Sequence, residues 1–287
     1  MRLLIFSNIF IALAAVALTH ATYYLLGAGA ASWLPPSWGL LALVFFATLF
    51  VYNLDRLVSI SREDAVAVTE RHTWIDAHRS WLWALAAVGG VGSAASFWFV
   101  PLDLLWGLVP LGVVTLAYSL PVWARDGQKR RLKDVPGLKI FLIALVWSSV
   151  TVVLPALDAG VEVFETNAVL AFVERMIFIF AITLPFDVRD MNRDAQAGIY
   201  TLPMTLGVHK TRWLAVGLML IFVGLVVAHY GLTVSSATIP MALSGLLTAA
   251  ALWPSHKVHG ELYYVGLLDG TMLLQGVLVV GYLVGLQ

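Results

Sequence analysis

Apolar residues do not alternate with polar ones along this chain; they come in long, nearly unbroken runs. Nine runs stand out, near Leu3–Leu26, Trp38–Leu54, Trp81–Val100, Leu104–Trp123, Leu138–Leu157, Ala168–Phe186, Trp213–Tyr230, Val234–Trp253 and Leu262–Leu286. A helix rises about 1.5 Å per residue, so such runs cover a bilayer core of roughly 30 Å. Barrel strands would show period-two alternation instead. Inside a bilayer the backbone must satisfy its own hydrogen bonds, which a helix does within one segment. The pattern predicts an all-α integral membrane protein, with about nine transmembrane helices in one bundle. The opening "MRLLIFSNIFIALAAVALTHAT" imitates a secretory signal. Its apolar run continues through Tyr23, Tyr24, Leu25 and Leu26, however, and is read as the first span.

Composition agrees with the pattern. The chain has 287 residues, 60% hydrophobic and 12% charged, with mean hydropathy +0.88. Soluble domains carry about a quarter charged residues. Formal net charge is zero, so bulk charge gives no sign of a nucleic-acid partner. The absence of cysteine excludes disulfides, thiol catalysis and thiolate metal sites. No linker, low-complexity tract or short tandem repeat is evident, and residues 1–287 read as a single transmembrane domain.

The placement of charge orients the spans. Arg56, Arg62, Arg71 and Arg79 follow the second run. Arg125, Lys129, Arg130, Arg131, Lys133 and Lys139 follow the fourth. Arg189, Arg193, Lys210 and Arg212 follow the sixth, Lys257 the eighth, and Arg2 precedes the first. The loops between hold acids instead, such as Asp103, Asp158, Glu162 and Glu165. Of 17 basic residues only Arg175 breaks the alternation. Cytoplasmic loops are enriched in Lys and Arg, so the N-terminus is expected in the cytoplasm and the C-terminus outside. The chain reads as a multi-pass protein of a bacterial inner (plasma) membrane.

Candidate chemistry sits at the ends of the even-numbered spans. Asp187, Asp190 and Asp194 stand at i, i+3 and i+7, on one helix face. Their mutual repulsion calls for a cation. Arg189 and Arg193 point elsewhere on the helical wheel, which leaves a divalent ion as the compensator. Mg²⁺ takes one or two carboxylates and leaves its other positions to water and phosphate oxygens. A solvated loop whose acids offset its arginines is the alternative. The second span also ends in charge, in "VYNLDRLVSISREDAV": Asp55 and Arg56, with Ser59, Arg62 and Glu63 following at helical spacing. The fourth ends in "AYSLPVWARDGQKRRLKDVPGLK", with Tyr118 and six basic residues. Two acidic sites beside a basic one suit a metal-bound polyphosphate, although orientation alone also places basic residues there.

"FDVRDMNRDAQAGIYTLPMTLG" resembles the second aspartate motif of the UbiA superfamily of intramembrane prenyltransferases, in which DxxxD leads through a glycine to a Thr-Leu-Pro turn. Asp190 and Asp194 occupy the DxxxD positions and Asp187 lies one turn earlier. "YSLP" after the fourth span agrees. The resemblance implies a helical bundle around a lipid-accessible cavity, and Mg²⁺-dependent transfer of a prenyl group from an isoprenyl diphosphate to an aromatic or other lipophilic acceptor. By that resemblance Asp190 and Asp194 bind one Mg²⁺ and Asp55 helps bind another. Arg56, Lys133, Lys139 and Arg193 are candidate diphosphate contacts, with Tyr118 near the substrate. The chain departs from the family's first motif: with Asp55-Arg56 as its central pair, Val51 replaces an Asn and Ser59 an Asp. Asn53 and Glu63 are the candidates to rebuild that site. Tyr200 stands where the family often has Lys or Arg. An intramembrane terpene cyclase, a non-catalytic prenyl-lipid binder and a transporter are the competing readings.

Other polar residues carry two readings each. Asn8 either orients an acceptor or makes a helix–helix hydrogen bond. Glu174 and Arg175 are expected to pair with neighbours or snorkel. Asp269 either lines a cavity or is structural. His72, His78, His209, His256 and His259 lack metal spacing and read as loop residues.

Overall fold

The computed structural model describes residues 2–27, 36–60, 70–125, 128–196, 198–233, 237–257 and 259–285. The first run is not one helix. It splits into α1 (Arg2–Phe6) and α2 (Ile9–Gly27), with a break at Asn8. Asn8 has φ +63°, a left-handed conformation that asparagine tolerates better than most residues. Then come α3 (Trp38–Ile60), α4 (Glu70–Ala77), α5 (Arg79–Ser96) and α6 (Leu105–Ser119). The fourth run was expected to reach Trp123, but its helix stops at Ser119. Leu120 is extended at φ −97°, ψ 150°, as favoured before a proline, here Pro121. A short antiparallel hairpin follows, β1 (Trp123–Arg125) and β2 (Gln128–Arg130).

Next, α7 (Leu138–Ser148) runs through a wide turn into α8 (Leu154–Asp158) as one rod. The long α9 (Thr166–Gln196), short α10 (Leu202–Leu206), α11 (Val208–Tyr230), α12 (Thr238–Leu252) and α13 (Asp269–Val284) complete the chain. Among the described residues eight helical stretches are long and apolar enough to cross a membrane. The eighth expected span, Val234–Trp253, is the exception. Its α-helix has 15 residues and continues only as a tight turn over Trp253–His256.

Neighbouring helices close a ring: α3, α2, α13, α12, α11, α9, α7, α6 and back to α3, with α5 laid against the outside of α3. Small residues set the closest approaches. A Cβ on Gly276 of α13 would lie 2.5 Å from the Ala17 carbonyl carbon of α2. A Cβ on Gly89 of α5 would lie 2.7 Å from the Phe50 nitrogen of α3. Such backbone contact between spans needs glycine.

Charge buried in the far half of the bundle is paired. Glu174 Oε1 lies 2.8 Å from His229 Nδ1. Arg175 donates from Nη1 to Gln275 Oε1 at 2.6 Å, and Gln275 donates onward to Ser244 Oγ at 3.1 Å. Glu174 and Arg175 thus pair with neighbours as expected, and the chain α9–α13–α12 is tied by hydrogen bonds as well as by packing.

Replacing Gly276 with Val is expected to cost about 1–3 kcal/mol by overpacking, read as a lower melting temperature in detergent. Gly281→Ala is the control, because its Cβ meets nothing within 4 Å. Equal melting temperatures for the two variants would contradict the α2–α13 contact.

Candidate active site

The site is built where α3, α7 and α9 end on the same side of the ring. Hydropathy falls at Asp187, but α9 continues to Gln196. The aspartates therefore stand on a rigid helix, not in a loop. Gly198, at φ +69°, turns the chain after it, and Ile199 N–H closes onto Asp194 O at 2.8 Å. The chain then brings Tyr200 back toward the start of α7. There Gly137, at φ +71°, donates its N–H to Tyr200 O at 3.2 Å. This contact sets the first turn of α7 against α9, and Lys139 is the second residue of that turn.

Lys139 Nζ lies 2.9 Å from Asp187 Oδ1, 3.2 Å from Asp194 Oδ2 and 3.8 Å from Asp190 Oδ2. One ammonium thus serves three carboxylates. Asp187 and Asp194 are buried, at 2% and 7% exposure. Arg189 and Arg193 do not point away from the acids, contrary to the helical-wheel expectation. Arg189 Nε lies 2.8 Å from Asp190 Oδ1, and Arg193 Nη2 lies 3.2 Å from Asp190 Oδ2. A helical wheel tracks the direction of Cβ, not the reach of a long flexible side chain. Arg189 also reaches Glu261 Oε2 at 3.3 Å and covers the Phe186 and Tyr264 rings at 5.3 and 5.0 Å.

A second charged group faces this one. Asp55, near the end of α3, accepts from Lys133 Nζ at 2.7 Å. Lys133 sits in a tight turn (Leu132–Asp134) that is closed by Arg131 donating from its backbone N–H to Asp134 Oδ2 at 2.8 Å. The same ammonium lies 5.3 Å from the centre of the Tyr118 ring. Burial holds the Lys133 ammonium below the usual lysine range, partly opposed by the adjacent Asp55 carboxylate.

Both groups open onto one cavity of about 270 Å³. Asp55, Arg56, Lys139, Asp187, Arg189 and Asp190 line its charged part. Below them Asn8, Thr115, Ser119, Thr183 and Asp269 add polar lining, among Phe10, Tyr52, Trp147 and Phe186. Trp147 donates to Tyr52 Oη at 2.9 Å, fixing both rings. Tyr118 lines the same cavity. Lys133, Asp194 and Arg193 stand behind the lining, Lys133 against Asp55, Asp194 against Lys139 and Arg193 against Asp190.

Asn53 is not brought to this cavity. It is fully buried, donates to Ser7 O and Leu49 O at 3.2 and 2.8 Å, and accepts from Asn8 Nδ2 at 3.1 Å. Its amide stabilises the break between α1 and α2. Asn8 makes the helix–helix hydrogen bond considered for it and also borders the cavity. Ser59 (its side chain), Arg62, Glu63 and His72 (its side chain) lie outside what is described. Sequence reasoning missed Glu261 and the bridging role of Arg189; an acid 72 residues away leaves no local signal.

Among the described residues no three His, Cys, Asp or Glu side chains enclose a point as metal ligands unaided. The three aspartates of α9 instead share a single cationic nitrogen. Their hard oxygen donors fit Mg²⁺, which needs only one or two carboxylates when phosphate oxygens and water complete its shell.

The model of the UbiA prenyltransferase family matches residues 77–263, a stretch that includes Lys133, Lys139 and Asp187–Asp194 and begins after Asp55. The apo structure of a UbiA homolog from Aeropyrum pernix K1 is similar over 97% of both chains, with TM-score 0.65 and 15% identity. A UbiA homolog from Archaeoglobus fulgidus, bound to GPP and Mg²⁺, is similar over 98% of this chain and 100% of its own, with TM-score 0.60 and 15% identity. A digeranylgeranylglyceryl phosphate synthase structure matches over 99% of both chains at TM-score 0.55 and 16% identity. No curated protein matches the sequence.

A double-mutant cycle over Asp55→Asn and Lys133→Met is expected to show a coupling of about 1 kcal/mol, read from thermal unfolding. Additive losses would mean that this pair does not form.

Proposed function

This chain belongs to the UbiA prenyltransferase family, and on that premise we propose that it transfers a prenyl group from an isoprenyl diphosphate to an aromatic or other lipophilic acceptor within the membrane. The observation that carries this reading is the cavity itself: paired carboxylates and basic side chains at one end, aromatic and aliphatic walls below. A diphosphate fits the first and a prenyl chain the second. The archaeal relative with GPP and Mg²⁺ supports the same assignment of ligand class.

Asp190 and Asp194, with Asp187 one turn deeper, would hold one Mg²⁺, and Asp55 would hold a second. When bound, the metal supplies positive charge against the departing diphosphate. Lys139 and Arg56, which line the charged end of the cavity, would add charge-assisted hydrogen bonds to the phosphate oxygens. Arg189 and Arg193 hold Asp190 in place from two sides. Lys133 does the same for Asp55 and brings its ammonium to the Tyr118 ring. As the allylic C–O bond breaks, its electron pair leaves with the diphosphate. The positive charge left on the prenyl carbon needs aromatic faces and no bulk water; Phe186, Tyr52 and Trp147 line the space for it. The nucleophilic carbon of the acceptor then bonds to the prenyl carbon and loses its proton.

The site end of the ring is proposed to face the cytoplasm, and residues 1–287 to act as one domain in a bacterial inner (plasma) membrane. Support comes from the alternation of basic and acidic loops.

Purified protein with Mg²⁺ and geranyl or dimethylallyl diphosphate should release diphosphate only when a lipophilic acceptor is added. Asp190→Asn and Asp194→Asn should each lower the rate by about 100-fold or more, as loss of a group acting on developing charge does. Release without acceptor and with a cyclic hydrocarbon would identify a cyclase instead. Binding without turnover would leave a lipid binder. Orientation is read by single-cysteine labelling, which the cysteine-free chain permits. A thiol at Lys210 should be protected from an impermeant reagent in intact cells, and one at Glu162 should react.

A further inference from the structure

The position of Lys139 raises a question of order. Its ammonium lies among the three carboxylates of α9, in the place a metal would take. We propose that Lys139 is the cation of the metal-free site. It holds Asp187 and Asp194 together until Mg²⁺ arrives with a diphosphate, then swings to the phosphate oxygens, so that metal and diphosphate bind as one unit. This rests on the prenyl-diphosphate reading above.

Charge supports it. Asp187, Asp190, Asp194 and Glu261 bring four negative charges, and Lys139, Arg189 and Arg193 bring three positive ones, all within the contacts described. The cluster is close to neutral without any metal. Mg²⁺ binds carboxylate oxygen at about 2.0–2.1 Å, so an ion on Asp190 and Asp194 would come within a few ångströms of Nζ, which lies 3.8 and 3.2 Å from their oxygens. In a buried setting that repulsion is poorly screened. A diphosphate removes the conflict, because its oxygens take both the metal and the displaced ammonium.

Geometry supports it too. Lys139 Nζ lies 2.9 Å from the buried Asp187 Oδ1 and 3.2 Å from Asp194 Oδ2, so one ammonium bridges carboxylates two turns apart. Lys139 and Asp187 line the cavity, so the ammonium has somewhere to go. The backbone of Lys139 is held through Gly137 and Tyr200, which leaves the flexible four-carbon stem to make the movement.

Arg189 and Arg193 are not the moving groups. Arg189 donates to Asp190 and is further committed to Glu261, and Arg193 pairs with Asp190.

The test uses Mn²⁺ as a paramagnetic substitute for Mg²⁺ and S-geranyl thiodiphosphate as a slowly ionising diphosphate, with free Mn²⁺ read by electron paramagnetic resonance. Wild-type protein should bind Mn²⁺ at least about 10-fold more tightly when the diphosphate is present. Lys139→Gln should bind Mn²⁺ alone about 10-fold more tightly than wild type, and lose most of the enhancement by diphosphate. Mn²⁺ alone should also raise its melting temperature, whereas wild type should need both ligands. Lys139→Arg, which keeps the charge, should still exclude the lone metal. If Lys139→Gln does not fold, the wild-type arm decides. Independent binding of metal and diphosphate to wild type overturns the role of Lys139 and leaves the proposed reaction standing. A wild-type protein that binds neither, in any combination, overturns both. Unchanged Mn²⁺ affinity in a folded Lys139→Gln protein also refutes the proposal.

Discussion

Three carboxylates on one face of a helix, at the edge of an apolar bundle, require a counter-charge. Much of the local structure at this end follows from that requirement. The ammonium of Lys139 has to reach the face of α9, so α7 must begin beside it. The turn after α9 meets this need by returning Tyr200 to Gly137. Asp190 requires its own partners, and Arg189 and Arg193 supply them from the same helix. Arg189 then ties α9 to Glu261 and the segment leading into α13. Electrostatic need and helix placement are one argument here.

The opposite half of the bundle obeys the same rule with a different result. Glu174 meets His229, and Arg175 meets Gln275, which meets Ser244. These groups lie away from the cavity lining and join α9 to its neighbours α11 and α13. A buried charge left without its partner is costly, so this network favours one arrangement of the helices over others. It gives α9 a fixed rotation about its axis. That rotation decides which way Asp187 faces some turns further on.

The fold was readable because lipid imposes it. Runs of apolar residues marked the spans, and only the helix over Thr238–Leu252 came out too short to qualify alone. Helix ends were less legible. Hydropathy stops at Phe186, but α9 ends where Gly198 and the Ile199 N–H close it, which hydropathy does not report. The break at Asn8 was hidden in a continuous apolar run, because one left-handed residue changes direction without changing hydrophobicity. At the site, the aspartate spacing was plain. The convergence on Lys139 was not, since orientation alone explains a basic residue in that loop. Asn53, so near Asp55 in sequence, was drawn instead into the α1–α2 break by the hydrogen-bonding demands of a buried amide.

That break has a practical side. The five residues of α1 are joined to α2 through a single left-handed hinge, and Ile5 forms part of the cavity wall. Phe6 rests edge-on against Trp74 of α4 at 5.6 Å. A pull on α1 therefore acts through a short lever that borders the chamber. The end of α13 at Val284 lies 15 residues beyond its start, about 22 Å along the helix from Asp269. A load placed at Val284 is insulated from the wall by a full-length span, whereas one on α1 is not.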